Sequence, residues 1–324
     1  MIPHTHSLGP IPLSEIYAAR ERLTGAVTRT PLVRLNVDDA PAEIYLKLEN
    51  LQAIGSFKLR GAGNAMLLAG RDRLARGVFT ASAGNMAQGV AWYARRMGVA
   101  CNVVVPDHAP ETKLAAIRRL GASIVKVSFA EWMQVLKTRR YDGLDGYFVH
   151  PVSDPAVMAG NGTIGLEILE DLPDVDAVLI PFGGGGLSSG IASALRALRP
   201  AARIFACEVD TAAPLAAALA AGAPREITYT PSFVDGIGAP FVLPEMWPVV
   251  SQLLEGSLVM TLADVAAAIR LLAERNRVIA EGAGATPVAA ALAGQAGGGK
   301  VVCVVSGGNI DLAKLSSILA GKLP

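Results

Sequence analysis

Aromatic residues make up only 5% of this 324-residue chain and charged residues only 18%. An average soluble protein carries ~25% charged residues, so long solvated or disordered stretches are excluded for most of the length. Neither sign of charge dominates: 29 Lys and Arg face 28 Asp and Glu, a net +1. That balance gives no electrostatic footprint for nucleic acid or an anionic membrane surface. Cysteine is scarce too. Cys101, Cys207 and Cys303 stand far apart inside apolar runs, a spacing that fits neither a zinc site nor a disulfide framework. They read as buried free thiols. A membrane span needs ~18 uninterrupted apolar residues, and none exists: the Ala-rich stretch from Thr211 to Ala221 contains Pro214 and is followed by Gly222 and Pro224. The opening, Met1 to His6, lacks the charged-then-apolar order of a secretory signal. No repeat is evident, which excludes a solenoid.

What remains is 52% apolar material, ample for a core, in a length that suggests roughly two domains of ~150 residues. Seven short runs are nearly continuously apolar: Ile44–Leu48, Val78–Ala81, Cys101–Val105, Ile124–Val127, Ala177–Pro181, Arg203–Val209 and Val301–Val305. Such runs suit strands covered on both faces. Segments with helical spacing lie between them, among them Ala87–Met97, Ser188–Leu198 and Val265–Arg275. Alternating strands and helices predict α/β architecture with crossover connections. The stretch Glu226–Trp247 is rich in Pro and Gly and reads either as an ordered loop over a site or as plain surface chain.

Four segments carry candidate chemistry. In the first, Gly183, Gly184, Gly185, Gly186 and Leu187 follow an apolar strand and open a helix. Chain without Cβ atoms can aim several N–H groups at one point, and the helix start adds unpaired donors, which makes an anion cradle. Gly184, Gly186 and Gly190 also approximate a dinucleotide pattern, with Glu208 placed for a ribose hydroxyl. A nicotinamide dehydrogenase therefore stays open on these residues alone. In the second, Lys58 lies between Phe57 and Leu59. If apolar surroundings strip its water, its pKa falls and its amine becomes a nucleophile or base; an exposed-face lysine is the ordinary alternative. In the third, Ser82, Ala83, Gly84, Asn85 and Met86 form a polar turn leading into a helix, suited to a carboxylate. In the fourth, Ser306 ends an apolar strand, where ligands of open α/β sheets gather.

Taken together and in this order, Gly55-Ser56-Phe57-Lys58-Leu59-Arg60-Gly61-Ala62, Ser82-Ala83-Gly84-Asn85, Gly183 to Gly186 and Ser306-Gly307-Gly308-Asn309 resemble the fold-type II pyridoxal-phosphate (PLP) enzymes. The similarity is greatest to the threonine/serine dehydratase and serine racemase branch, from about Leu13 to Ile318. The resemblance implies a tryptophan synthase β-like fold: two open α/β domains with the cofactor, pyridoxal 5'-phosphate, in the cleft. Residues 1–71 and 149–324 would form a discontinuous large domain and residues 72–148 a small one. It assigns Lys58 to the Schiff base, Phe57 and Gly236 to the flanks of the ring, and Asn85 to its 3-hydroxyl. Gly183–Gly186 with Leu187 take the phosphate, Ser306 faces the pyridine nitrogen, and Glu281 lies near the ring. Ser82, Ala83, Gly84, Asn85 and Met86 take the substrate.

The activity so implied is ammonia-releasing β-elimination of water from L-threonine, L-serine or a bulkier or acidic 3-hydroxy analogue, giving a 2-oxo acid. Lys58 would remove the Cα proton. A serine at the ring nitrogen gives a milder electron sink than a carboxylate, which favours elimination over transamination. Racemases of the branch carry a serine where this chain has Ala83, so racemisation is expected to be weak. A β-replacement synthase usually shows a Thr-rich carboxylate loop, unlike this one. Met86 replaces a common histidine and would make the substrate's surroundings more apolar. The metal site of some relatives is incomplete: Glu208 and the Ala212 carbonyl match it, but Pro214 stands where a second carboxylate belongs, so no metal is expected. The chain ends at Pro324, and no C-terminal regulatory domain fits. A catabolic, cytoplasmic homo-oligomer, dimer or tetramer, acting on a small amino acid without nucleic acid or membrane is the resulting expectation.

Overall fold

The structure is a computed structural model, and residues 8–324 are described; Met1 to His6, read above for a signal, lie outside them. The ten strands are β1 (Leu32–Arg34), β2 (Glu43–Leu48), β3 (Val78–Ala81), β4 (Cys101–Pro106), β5 (Ser123–Val127), β6 (Tyr147–Phe148), β7 (Ala177–Pro181), β8 (Arg203–Val209), β9 (Gly256–Met260) and β10 (Lys300–Val305). They make two sheets, one ordered β1-β2-β10-β7-β8-β9 and the other β5-β4-β3-β6. Among the named strands of the described residues, the β1–β2 pairing alone is antiparallel; the other pairings are parallel.

The continuous apolar runs follow from burial on both faces. Val178 and Ile180 of β7 enter one core cluster, while Ala177 and Leu179 enter the other. Val302 and Val304 of β10 alternate with Val301, Cys303 and Val305 in the same way. Helices Pro155–Asp171 and Gly186–Leu198 cover the first face, and Leu262–Leu271 and Gly282–Leu292 the second. The smaller sheet repeats the arrangement: Val78, Val103 and Val105 face helices Lys58–Leu74 and Asn85–Met97, and Phe79, Ala81 and Val104 face helix Phe129–Thr138. Gly190 lets two helices touch backbone to backbone, since a Cβ there would lie 2.2 Å from the Met158 carbonyl oxygen. All three cysteines are buried and unpaired. Among the described residues, no helix is long and apolar enough to cross a membrane.

Three strands escape the sequence reading. β1, β6 and β9 are short or lie at sheet edges, and their residues are mostly half-buried, so they lack the two-sided apolar signal. The helix expected over Val265–Arg275 runs from Leu262 to Leu271 and then widens into a looser turn at Leu272–Asn276.

The most heavily charged spot of the interior lies just behind β2. Arg60, Lys47, Glu49 and Glu167 are buried together. Arg60 holds Glu49 through Nε and Nη2, both at 2.8 Å, and Glu167 through Nη1 at 2.6 Å and Nη2 at 2.8 Å. Lys47 Nζ donates to Glu167 at 2.5 Å and to the Thr30 carbonyl at 2.6 Å. Two cations balance two anions. Burial opposes the Glu49 charge, yet Arg60, Thr30 and Lys47 hold its carboxyl below the usual range. Removing one partner strands its opposite in a dry site, which costs about 3–5 kcal/mol. Arg60→Met is therefore expected to lower the free energy of urea unfolding by about 3–5 kcal/mol; a loss under about 1 kcal/mol would show that the cluster is solvated like a surface pair.

Candidate active site

In the larger sheet, β2, β10 and β7 lie side by side and parallel, so their C-terminal ends open on the same edge. β2 leads through the turn Glu49–Leu51 to helix Lys58–Leu74, β10 ends at Ser306, and β7 ends at the glycine loop. The fourth segment comes from the other sheet, where β3 runs into Ser82–Asn85 and helix Asn85–Met97. Four segments far apart in sequence thus share one crevice, as expected at the carboxyl ends of parallel strands.

Lys58 opens its helix, and its Nζ donates to the Pro151 carbonyl at 2.7 Å. The same amine sits 5.1 Å from the centre of the Phe57 ring. Desolvation pushes its pKa down to about 8, against the opposing pull of Glu281. An amine so placed reaches its neutral, nucleophilic form with less driving force than an exposed lysine needs.

The glycine loop lies against the next residue of the Lys58 acceptor segment. A Cβ on Gly184 would stand 2.7 Å from the Val152 side chain, and one on Gly186 would stand 2.7 Å from the Val152 carbonyl oxygen. Gly185 has φ of 95°, in the left-handed region. The amides of Gly183, Gly184 and Gly185 have no acceptor among the described residues, and helix Gly186–Leu198 begins at once, adding its own unpaired amides. These donors with a helix start behind them fit a phosphate group.

The circuit then closes. A Cβ on Gly183 would meet the Gly236 carbonyl at 3.2 Å, and one on Gly236 would meet Glu281 Oε1 at 3.3 Å. The Glu281 amide donates to Gly307 O at 3.0 Å. The Phe57 amide donates to Ser306 O at 2.9 Å, returning the chain of contacts to Lys58. Ser306 is buried at the end of β10. Asn85 Nδ2 donates to both Glu281 oxygens, at 2.9 and 3.2 Å, and Asn85 Oδ1 accepts from Asn309 Nδ2 at 2.8 Å. Burial pushes the Glu281 carboxyl up to about 7; Asn85 and Lys113 pull it down, while Asp235 adds to the rise.

In the turn before helix Asn85–Met97, the Ser82 hydroxyl accepts from the Gly84 amide at 3.2 Å. The amides of Ala83, Asn85 and Met86 find no acceptor among the described residues, and the side of Gly84 where a Cβ would project is open. That is a carboxylate-sized set of donors. The Met86 side chain, expected to face the substrate, is buried with Leu59 and Val90 in the core of the smaller sheet, leaving its amide at the turn. Sequence reasoning missed Pro151 and Val152 and quoted Asn309 only within a motif, without a role; contacts between segments distant in sequence leave no local periodicity to read.

The donor set around Glu208 does not fit a metal ion. Its carboxylate accepts from the Leu215 and Ala216 amides, both at 2.8 Å, and from Ser257 Oγ at 2.5 Å. It caps helix Pro214–Ala221 from inside the fold. Among the described residues, no group of three or more His, Cys, Asp or Glu could hold a metal.

A buried amine of lowered pKa, a cradle of free amides, a strand-end serine and an asparagine bridging two sheets define a lysine-dependent enzyme that takes a phosphorylated cofactor. Comparison with known proteins gives the cofactor. The profile of the pyridoxal-phosphate dependent enzymes matches residues 23–307. The chain belongs to this family, and its fold is the fold-type II arrangement. It is 40% identical over 319 residues to an L-threonine ammonia-lyase of Geobacter sulfurreducens, covering 95% of this chain and 78% of that protein. Among solved structures it superposes on maize serine racemase with TM-score 0.88 and 31% identity, covering 96% and 98% of the two chains. Threonine deaminase isoform 2 of Solanum lycopersicum, in its processed form, gives TM-score 0.85 at 34% identity, covering 95% and 87%.

The raised Glu281 carboxyl has a stability signature. A folded pKa of about 7 against 4.5 means that the protonated form is the one the fold accommodates. Its contribution is full below about pH 4.5 and is lost as pH rises through about 7. The stability of cofactor-free wild type relative to Glu281→Gln is therefore expected to fall by about 1–3 kcal/mol between about pH 5 and about pH 8, read from paired urea titrations. A rise instead would show that Asn85 and Lys113 outweigh the burial.

Proposed function

We propose that this protein is an ammonia-lyase that eliminates water from a β-hydroxy amino acid, with L-threonine and L-serine as default substrates. The observation that carries the reading is the closed ring of contacts joining Lys58 to the glycine loop, Ser306, Asn85 and Glu281. Bound pyridoxal phosphate supplies an electron sink for negative charge at the substrate Cα. Gly183–Gly186 and Leu187 would hold its phosphate through backbone amides, Ser306 would serve its ring nitrogen, and Asn85 would serve its 3-hydroxyl. The amides of Ala83, Asn85 and Met86 hold the substrate carboxylate. Lys58, already shifted toward its neutral form, accepts the Cα proton as general base. The β-hydroxyl takes up a proton, in balance with the one Lys58 removes, and leaves as water; hydrolysis of the released enamine takes water back and yields a 2-oxo acid and ammonia.

Ala83 decides between elimination and racemisation. Its methyl group has no proton to exchange, so the Lys58 face is the only one furnished with an acid/base group in this scheme. The threonine-specific names of two of the relatives above support the same direction. Residues 1–71 and 149–324 form the large domain of this reading and residues 72–148 the small one; a four-stranded sheet whose strands all fall between Val78 and Phe148 supports the small unit, whereas helix Lys58–Leu74 crosses the boundary at residue 72 and packs in that sheet's core. The working form is a cytoplasmic homo-oligomer without nucleic acid.

Incubation with a panel of β-hydroxy amino acids should release 2-oxo acid and ammonia in equal amounts, fastest from L-threonine or L-serine. Lys58→Ala should lower kcat by at least about 10²–10⁴-fold, and borohydride should fix the cofactor to the Lys58 peptide of wild type; a label on another lysine overturns the assignment. Chelator treatment should leave the rate unchanged, because the Glu208 oxygens already hold three donors. A chelator-induced loss restored by Mg²⁺ would show that this carboxylate can be recruited.

A further inference from the structure

His150 lies outside every motif above, yet it is buried, 2% exposed, one residue before the Lys58 acceptor Pro151. Its Nδ1 accepts the Val152 amide at 3.0 Å and the Ser153 amide at 2.8 Å. Backbone amides only donate, so Nδ1 must carry a lone pair and the ring proton belongs on Nε2. Burial first, then the charges of Arg139 and Lys58, push the ring pKa down to about 3, against the Leu136 carbonyl. The imidazole therefore stays neutral and accepting at any pH where the enzyme works.

We propose that His150 is a positioning residue of the active site: its Nδ1 folds residues 151–153 into a tight turn that serves two parts of the site at once. Pro151 presents its carbonyl to Lys58 Nζ, and Val152 forms the wall against which Gly184 and Gly186 pack. Without the acceptor, two buried amides lose their partner and the turn opens. The amine and the phosphate cradle then lose their common support. The strap is secured further along, where Ser153 Oγ donates to Glu245 at 3.0 Å and Arg139 Nη2 donates to Ser153 O at 2.7 Å. The Phe148 ring, edge-on at 5.9 Å, fixes the imidazole plane. This role rests on the pyridoxal-phosphate reading of the site.

Three substitutions test it. His150→Asn puts an amide oxygen near the Nδ1 position, His150→Gln puts it one carbon further out, and His150→Leu removes the acceptor. The dissociation constant for pyridoxal phosphate, measured by equilibrium dialysis of holoenzyme, should rise about tenfold or more in His150→Leu and His150→Gln. In His150→Asn it should stay within about threefold of wild type. The pH midpoint of the visible absorbance of bound cofactor should shift in the same two variants, because the Pro151 carbonyl dipole beside Lys58 Nζ is displaced. If His150→Leu does not fold by circular dichroism, the Asn and Gln variants carry the test alone. Unchanged affinity in His150→Leu, or equal weakening by Asn and Gln, overturns the proposal. A wild type that binds no pyridoxal phosphate sinks the functional reading along with it, whereas a wild type and His150→Leu that bind it equally sink this inference alone.

Discussion

The rest of the site depends on where one guanidinium is held. Arg60 follows Lys58 by two positions in the first turn of the same helix, and its five donors are spent on Glu49, Glu167, Thr163 and the Thr28 carbonyl. A planar fork gripped from two sides by carboxylates admits little rotation. Glu49 belongs to the turn after β2 and Glu167 to the long helix behind the sheet, so the helix start is fixed in depth and in roll. The Lys58 amine inherits both. Apolar replacements of equal volume can match such a cluster in stability, but they do not reproduce its directional bonds.

Around that anchor the fold works by delivering strand ends. Each of β2, β7 and β10 is built for burial on both faces, and each leaves its chemistry to the chain that follows its C-terminal end, at once after β7 and β10 and beyond the Glu49–Leu51 turn after β2. The strands supply rigidity; the short loops supply amides without partners, a serine and an amine. Asn85 and Glu281 then tie the smaller sheet to the larger one across the crevice. A ligand that bonds Asn85 therefore addresses both layers of the protein together.

Much of this was legible in the chain. Two-sided burial produced runs such as Ala177–Pro181 and Val301–Val305, which no exposed segment imitates, and four consecutive glycines after a strand announced an anion cradle. Lys58 between Phe57 and Leu59 suggested desolvation, and its amine is shifted as that implies. What stayed hidden lacks a local signature. β9 is half-buried along most of its length, so it carries no continuous apolar run. The His150 turn uses a residue type that more often lies at ease in a core, and Pro151 acts through a backbone oxygen that any residue possesses. Met86 shows the reverse limit: its position in a motif suggested the crevice, but as the second residue of helix Asn85–Met97 it turns its side chain into the core.

The order β2-β10-β7 has a consequence for the chain as it leaves the ribosome. Among the described residues β10 is made after the other strands, and it fills the gap between two strands made long before. From Pro181 to Lys300 lie 119 residues by difference, and synthesis at ~5–20 residues per second takes roughly 6–24 s over that distance. Throughout that interval the inner edges of β2 and β7 stand unpaired, each able to recruit a foreign strand. Nascent copies crowded on one messenger are then most exposed to mispairing, and a delay in translating the codons of β10 would prolong the hazard while leaving the finished enzyme unaltered.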